Sequence, residues 1–236
     1  LKHLSVGIMI VLFSSLILAG CIPSSHSSLP GTVNEKQIEM VQEAINKYRE
    51  DNDGLLPIKN KDYDTDVYIK YLIDFSKLVP TYLPSAPSTS FEEGGRFQYV
   101  IIEAETNPTV KIFDLMIPDK IREIQLLLMT QKYPPFKERL ARNVFTLDFQ
   151  ELGYNEEPTV KSPYSGEDLP IVINGQGELF IDYRKDLLRV LQDKEDLSLE
   201  IGEDIRYLLT ENSYFVPAYS LPYTIDEKGD PIFLDM

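Results

Sequence analysis

Apolar residues recur at helical spacing in three stretches of this chain. Ile38, Val41, Ile45 and Tyr48 fall on one helix face, because positions three and four apart stack along one side. Asn34 stands where it can cap that helix, and Gln37, three residues on, completes a capping box. The helix is expected to stop at Asp53-Gly54, with Pro57 close behind. Ile121, Ile124 and Leu128 predict a second helix that ends before Pro134-Pro135. Leu187, Leu188 and Leu191 predict a third.

The material after each helix is similar. Ile73-Asp74-Phe75-Ser76-Lys77-Leu78 follows the first, then prolines, a Gly-Gly turn and a strand over Phe97–Ile102. Leu147-Asp148-Phe149-Gln150-Glu151-Leu152 follows the second, then Ser162-Pro163-Tyr164-Ser165-Gly166. A hairpin comes next, Ile171–Ile173 turning through Asn174–Gly177 into Leu179–Ile181. Ile205-Arg206-Tyr207-Leu208-Leu209 follows the third, then Leu221-Pro222-Tyr223-Thr224, Gly229 and a closing strand, Pro231–Leu234. Val79-Pro80-Thr81-Tyr82 echoes Val216-Pro217-Ala218-Tyr219. The order reads as three divergent helix–loop–strand repeats over 34–117, 118–183 and 184–236, each too small to bury a core alone. The expected fold is α+β, with helices packed on antiparallel hairpins in one packed body.

The start of the chain follows a different pattern. An apolar run extends from Leu4 to Ala19 behind Lys2, about 16 residues against the roughly 20 that span a bilayer. It ends in Leu18-Ala19-Gly20-Cys21, a lipobox. Residues 1–20 are therefore expected to be a lipoprotein signal peptide, removed before Cys21 is acylated. Residues 21–33 are rich in serine, proline and glycine and read as a flexible tether. A chain opening on Leu1 suggests a non-ATG start, common in Gram-positive bacteria. The expected location is then the outer face of the plasma membrane.

Composition narrows the chemistry. Cys21 is the only cysteine among 236 residues, so no disulfide, thiolate metal site or cysteine nucleophile is expected. The two histidines, His3 and His26, precede the folded part. The commonest general base and metal ligand is thus missing from it. No Gly-x-Ser-x-Gly, Ser-x-x-Lys or Gly-x-x-x-x-Gly-Lys occurs, and no cofactor is expected. The net charge is −15, and −16 once Lys2 is removed. No nucleic-acid partner is expected, because such a surface offers no basic stripe for phosphates. Attraction to anionic headgroups is not expected either, so the body should stand off the membrane on its lipid.

Asp62, Asp64 and Asp66 alternate and could hold calcium from one side of an extended segment. An EF-hand loop would need glycine and glutamate where Val67 and Ile73 stand, so a solvated acidic loop is the stronger reading. Glu92–Gly95 and Asp226–Asp230 read as turns before strands. Ser162–Gly166 fits a recognition loop or a tight turn around a packed tyrosine. Met40, Met116 and Met129 read as core.

Two resemblances bear on this. Tyr48-Arg49-Glu50-Asp51-Asn52-Asp53-Gly54, Pro57 and Tyr99 resemble, in outline, the globular part of type IV pseudopilins, over about a quarter of the chain. The long N-terminal helix of that family is absent, and a lipobox takes its place. The lipobox, the serine-rich tether and Asn107-Pro108-Thr109-Val110-Lys111 are similar to YphF-like lipoproteins of bacilli, over most of the chain. No activity goes with either resemblance. The lipobox, and a folded part without histidine, cysteine or a nucleophile motif, lead to the expectation of a non-catalytic, membrane-anchored lipoprotein that binds or scaffolds an envelope component. The alternatives are a solute-binding component of an ABC transporter, whose permease would then be the partner, and a carboxylate-based cell-wall glycan hydrolase.

Overall fold

Asn34 caps the first helix, α1 (Glu35–Asp51), and its side chain accepts the Gln37 N–H at 3.4 Å. The reciprocal half of the expected capping box does not form. The Gln37 side chain instead donates to Ser88 Oγ and accepts from Thr89 Oγ1, tying the helix to a distant loop. The computed structural model describes residues 33–234, apart from Asn60 and residues 195–196. The apolar run, the lipobox with Cys21, and the tether up to residue 32 lie outside the described residues.

The remaining helices are α2 (Val67–Lys70), α3 (Met116–Leu128) and α4 (Arg184–Asp193). Short 3-10 turns cover Phe75–Lys77, Phe91–Glu93 and Ile205–Leu209. The strands are β1 (Phe97–Ile102), β2 (Thr109–Asp114), β3 (Phe136–Ala141), β4 (Val144–Leu147) and β5 (Thr159–Lys161). They continue with β6 (Asp168–Asn174), β7 (Leu179–Ile181), β8 (Tyr223–Ile225) and β9 (Pro231–Phe233). All strand pairings are antiparallel: β1 with β2, β8 with β9, and the order β3-β4-β6-β5 with β7 also on β6. Helices and antiparallel sheets together make the fold α+β.

Strand β1 is buried at every position, and its two-residue period explains how. Phe97, Tyr99 and Ile101 face the core under α1, with Ile38, Val41 and Ile45. Val100 and Ile102 face the other way, onto Tyr68, Phe113, Val216 and Ala218. A third core joins α3 and α4 to the larger sheet through Ile117, Ile124, Leu128 and Leu187. It also takes in Ile205, Leu208 and Tyr223, so the second and third sequence units share one core.

One turn recurs after each long helix. Asp74, Asp148 and Asp204 each accept the N–H two residues on, from Ser76 (3.2 Å), Gln150 (3.1 Å) and Arg206 (3.1 Å). The next residue, Phe75, Phe149 or Ile205, is buried each time. The same aspartate turn also occurs at Asp66, Asp114, Asp182 and Asp226, so it does not by itself mark a repeat.

Three expectations need correction. Met40, Met116 and Met129 are exposed, not core. On α1 and α3 the inward positions are taken by Ile38, Val41 and Ile45 and by Ile117, Ile124 and Leu128, which leaves these methionines off the buried stripe. Strands β2, β3 and β4 add pairings the sequence reading lacked. The material at Leu147–Leu152, expected to repeat the plan of Ile73–Leu78, is the end of β4 followed by a turn.

Candidate functional site

Ser213 to Ser220 forms a strap between the small and large sheets. On one side Ile112 N–H donates to Tyr214 O (2.9 Å) and Val216 N–H donates to Ile112 O (3.1 Å). On the other, Ile181 N–H donates to Tyr219 O (2.8 Å), and the Tyr183 hydroxyl donates to Ala218 O (3.1 Å). Tyr219 adopts φ +56°, a backbone state uncommon for a non-glycine residue. Phe215 packs edge-on against Phe97, with ring centroids 5.7 Å apart.

Two cations secure the strap. Lys111 Nζ donates to Thr210 O (2.8 Å) and Ser213 O (2.6 Å), and burial pulls its ammonium below the ordinary lysine range. Arg206 is buried, pairs with Asp66 (2.7 Å) and Asp204 (2.8 Å), and donates to Ser220 O and Oγ. Its guanidinium lies 4.9 Å from the Tyr68 ring centroid. Burial alone would make Arg206 easier to deprotonate; the two carboxylates outweigh that and hold its proton more tightly.

The Ser162–Gly166 loop is a turn stapled to α4. Ser162 Oγ accepts the Tyr164 and Ser165 N–H groups and donates to Asp186 (2.8 Å). Ser165 Oγ donates to the other Asp186 oxygen (2.6 Å). Asp186 is buried, and burial raises its pKa, opposed by the Ser165 and Ser162 hydroxyls. The Tyr164 ring packs on Tyr183 (6.0 Å, edge-on), and its enclosed hydroxyl has no partner among the described groups. Burial, with Tyr183 and Asp186 nearby, pushes that hydroxyl far up.

Beside this loop lies an open groove of about 690 Å³. Its walls are the start of α1 (Val33, Glu35), Pro163-Tyr164, the end of α4, and the segment from Leu208 to Phe215. Tyr164, Tyr214 and Phe215 give it an aromatic lining, while Glu35, Asp193 and Lys194 supply charge. Lys194 is ion-paired with Glu211. The groove combines apolar surface with a few polar groups, as binding clefts do.

The acidic triplet does not act as one site. Asp66 caps α2 by accepting the Tyr68 N–H and spends its other oxygen on Arg206. Asp62 and Asp64 are exposed. Among the described residues no group of three or more histidine, cysteine or acidic side chains is placed to hold a metal. No described helix is long and apolar enough to cross a membrane. Leu18, Ala19, Gly20 and Cys21 lie outside the described residues.

The sequence reading missed Arg206 and Asp186 as organising groups. Arg206 stands inside the apolar run Ile205–Leu209, and a charge in that setting was the available signal; Asp186 follows Arg184-Lys185 and gave no such signal.

Residues 34–114 match the family model described as the YphF family N-terminal domain. The match runs from the α1 cap to the last residue of β2. No curated protein and no solved structure matches the chain.

Proposed function

We propose, from the premise that the chain is YphF-like over residues 34–114, that it is a lipid-anchored extracytoplasmic lipoprotein with a non-catalytic binding or scaffolding role at a Gram-positive cell surface. The anchoring half of this reading rests on Leu18-Ala19-Gly20-Cys21 followed by a polar tether. The binding half rests on one observation, the aromatic-lined groove beside the point where the described chain begins. The buried charged groups support a structural use of polarity. Arg206 is satisfied by Asp66 and Asp204, and Asp186 by Ser162 and Ser165.

The groove's volume, about 690 Å³, also falls within the range of small-molecule sites, which favours a solute-binding component of an ABC transporter as the second reading. Crosslinking from intact cells separates the two. A photoreactive side chain in place of Tyr214 should capture one envelope protein under the scaffold reading. Capture of a permease, together with a solute that raises the melting temperature, would favour the transporter reading. Fatty-acid labelling that persists in a Cys21→Ala chain would remove the anchoring reading.

A further inference from the structure

The outer side of α3 breaks the rule that holds the helix in place. Ile117, Ile124 and Leu128 are buried on one stripe, so the opposite side should be polar. Leu126 lies about 200° from Ile124 around the helix, at roughly 100° per residue. It is 59% exposed, and Met129, at the helix end, is 72% exposed. The chain then presents Tyr133, 73% exposed, and Phe136, also exposed. Phe136, at the start of the edge strand β3, packs with its ring tilted against Phe145, centroids 5.0 Å apart.

The segment that carries these side chains has the opposite sign of charge to the chain as a whole, although the Arg139 guanidinium also donates to the Ala141 and Arg142 carbonyls. Between Leu126 and Arg142 stand Lys132, Lys137, Arg139 and Arg142 against a single carboxylate, Glu138, in a chain of net charge −15. Lys132 lies 5.7 Å from the Tyr133 ring centroid. Lys137 is paired to Glu157 only loosely, at 3.4 Å, with both side chains mostly exposed.

We propose that this corner, the end of α3 with the start of β3, rests against an anionic lipid bilayer. Protruding aliphatic and aromatic side chains flanked by lysine and arginine suit the headgroup boundary, where the apolar atoms insert and the cations meet lipid phosphate. The acidic remainder is repelled by the same surface, so the contact orients the body as well as holding it. A weak contact suffices because an anchored chain meets the membrane at high effective concentration. The inference rests on the anchored reading given above, and it replaces the expectation of a body that stands off the membrane.

The test uses acylated protein in vesicles, with an environment-sensitive fluorophore on Met129→Cys. Controls carry it on Glu39→Cys or Glu227→Cys. Flotation with the vesicles reports anchoring, and the fluorophore reports contact. In vesicles of phosphatidylcholine with a third phosphatidylglycerol, the probe at position 129 should brighten and shift to the blue, and the controls should not. Lys132→Glu and Arg139→Glu should reverse the shift, each cation near such a surface being worth about fivefold in binding. Protein that fails to float removes the anchored reading. Protein that floats while position 129 stays as wet as the controls overturns the contact alone. Shielding of position 129 that grows with protein concentration in vesicle-free solution would also overturn it, and would assign the corner to a second copy of the chain.

Discussion

Arg206 and Asp66 lie 140 positions apart and meet at 2.7 Å. The pair joins the segment entering α2 to the turn below the strap. It explains why an aspartate inside an acidic run is better described as half of an ion pair than as a cation ligand. Arg206 also holds Asp204 and Ser220, so removing its side chain leaves two carboxylates without their cation and takes a donor from the buried Ser220 hydroxyl. Replacing Arg206 with alanine should destabilise the protein by about 3–5 kcal/mol, the usual cost of breaking a buried pair from one side. Asp66→Ala should cost less, about 1–3 kcal/mol, because Asp204 still faces the guanidinium. Urea unfolding of both single variants and the double variant measures the coupling. Strictly additive losses would show that the pair does not join the two segments.

Much of the secondary structure was legible because burial and period agreed. Ile38, Val41 and Ile45 marked α1, and the hairpin of β6 and β7 follows its Asn174–Gly177 turn, where Asn174 accepts the Gln176 and Glu178 N–H groups. Strand β2 carried a signal that went unused: Val110 and Ile112 are buried, while Thr109 and Lys111 are not. Strand β3 gave little signal, since Phe136 to Arg139 are all exposed and its place in the sheet comes from pairing. The strap and the groove were illegible for another reason. They arise where Tyr214 and Val216 bond to Ile112, a partner no local pattern names. The exposed methionines show that side-chain chemistry alone does not assign a residue to a core.

Neighbouring glycines should behave differently on substitution. A Cβ at Gly95 would lie 2.2 Å from the Thr89 carbonyl carbon, which is backbone and cannot turn aside. Thr89 also bonds to Phe97 N–H (2.9 Å) and Tyr99 Oη (2.8 Å), so displacing it disturbs the start of β1. Gly94 has open space around it and is constrained only by φ +76°. Gly95→Ala should therefore destabilise by about 3 kcal/mol or more, and Gly94→Ala by about 1 kcal/mol. Thermal melts of the two variants check the order. Equal losses would mean that the close approach of Thr89 does not matter.

Asp186 should leave a mark on stability as the pH changes. Burial raises its carboxyl above the ordinary range, and the two serine hydroxyls only partly offset this. The folded protein therefore keeps this proton to a higher pH than the unfolded chain does. Between the ordinary carboxylate value and the raised one, the folded state binds more protons, so stability falls as pH rises through that window. Asp186→Asn cannot titrate and should show a flatter curve there, gaining on the parent as the pH rises. Urea midpoints across mildly acidic to neutral pH test this. Parallel curves would show that Asp186 is ionised alike in both states.

Lys111 predicts the opposite slope at the alkaline end. Burial lowers its pKa, the main cause being loss of water around the ammonium, with Glu103 opposing. The folded state sheds this proton earlier than the unfolded chain. Stability contributed by this group therefore rises with pH from the lowered value to the ordinary lysine range. Its second effect is local. Lys111 Nζ satisfies the carbonyls of Thr210 and Ser213, and without it both would need other donors. Lys111→Met keeps roughly the side-chain length, removes the charge and leaves the Ser213 carbonyl unmatched and the Thr210 carbonyl with only the long bond from Ser213 N–H (3.5 Å). Destabilisation of about 1–3 kcal/mol is expected near neutral pH, the usual cost of leaving buried polar groups unpaired. Amide exchange at Tyr214 and Val216 should accelerate more than at Val172 in the larger sheet, because the strap loses its anchor first. Equal acceleration at all three amides would mean that Lys111 stabilises the body as a whole and does not fasten the strap.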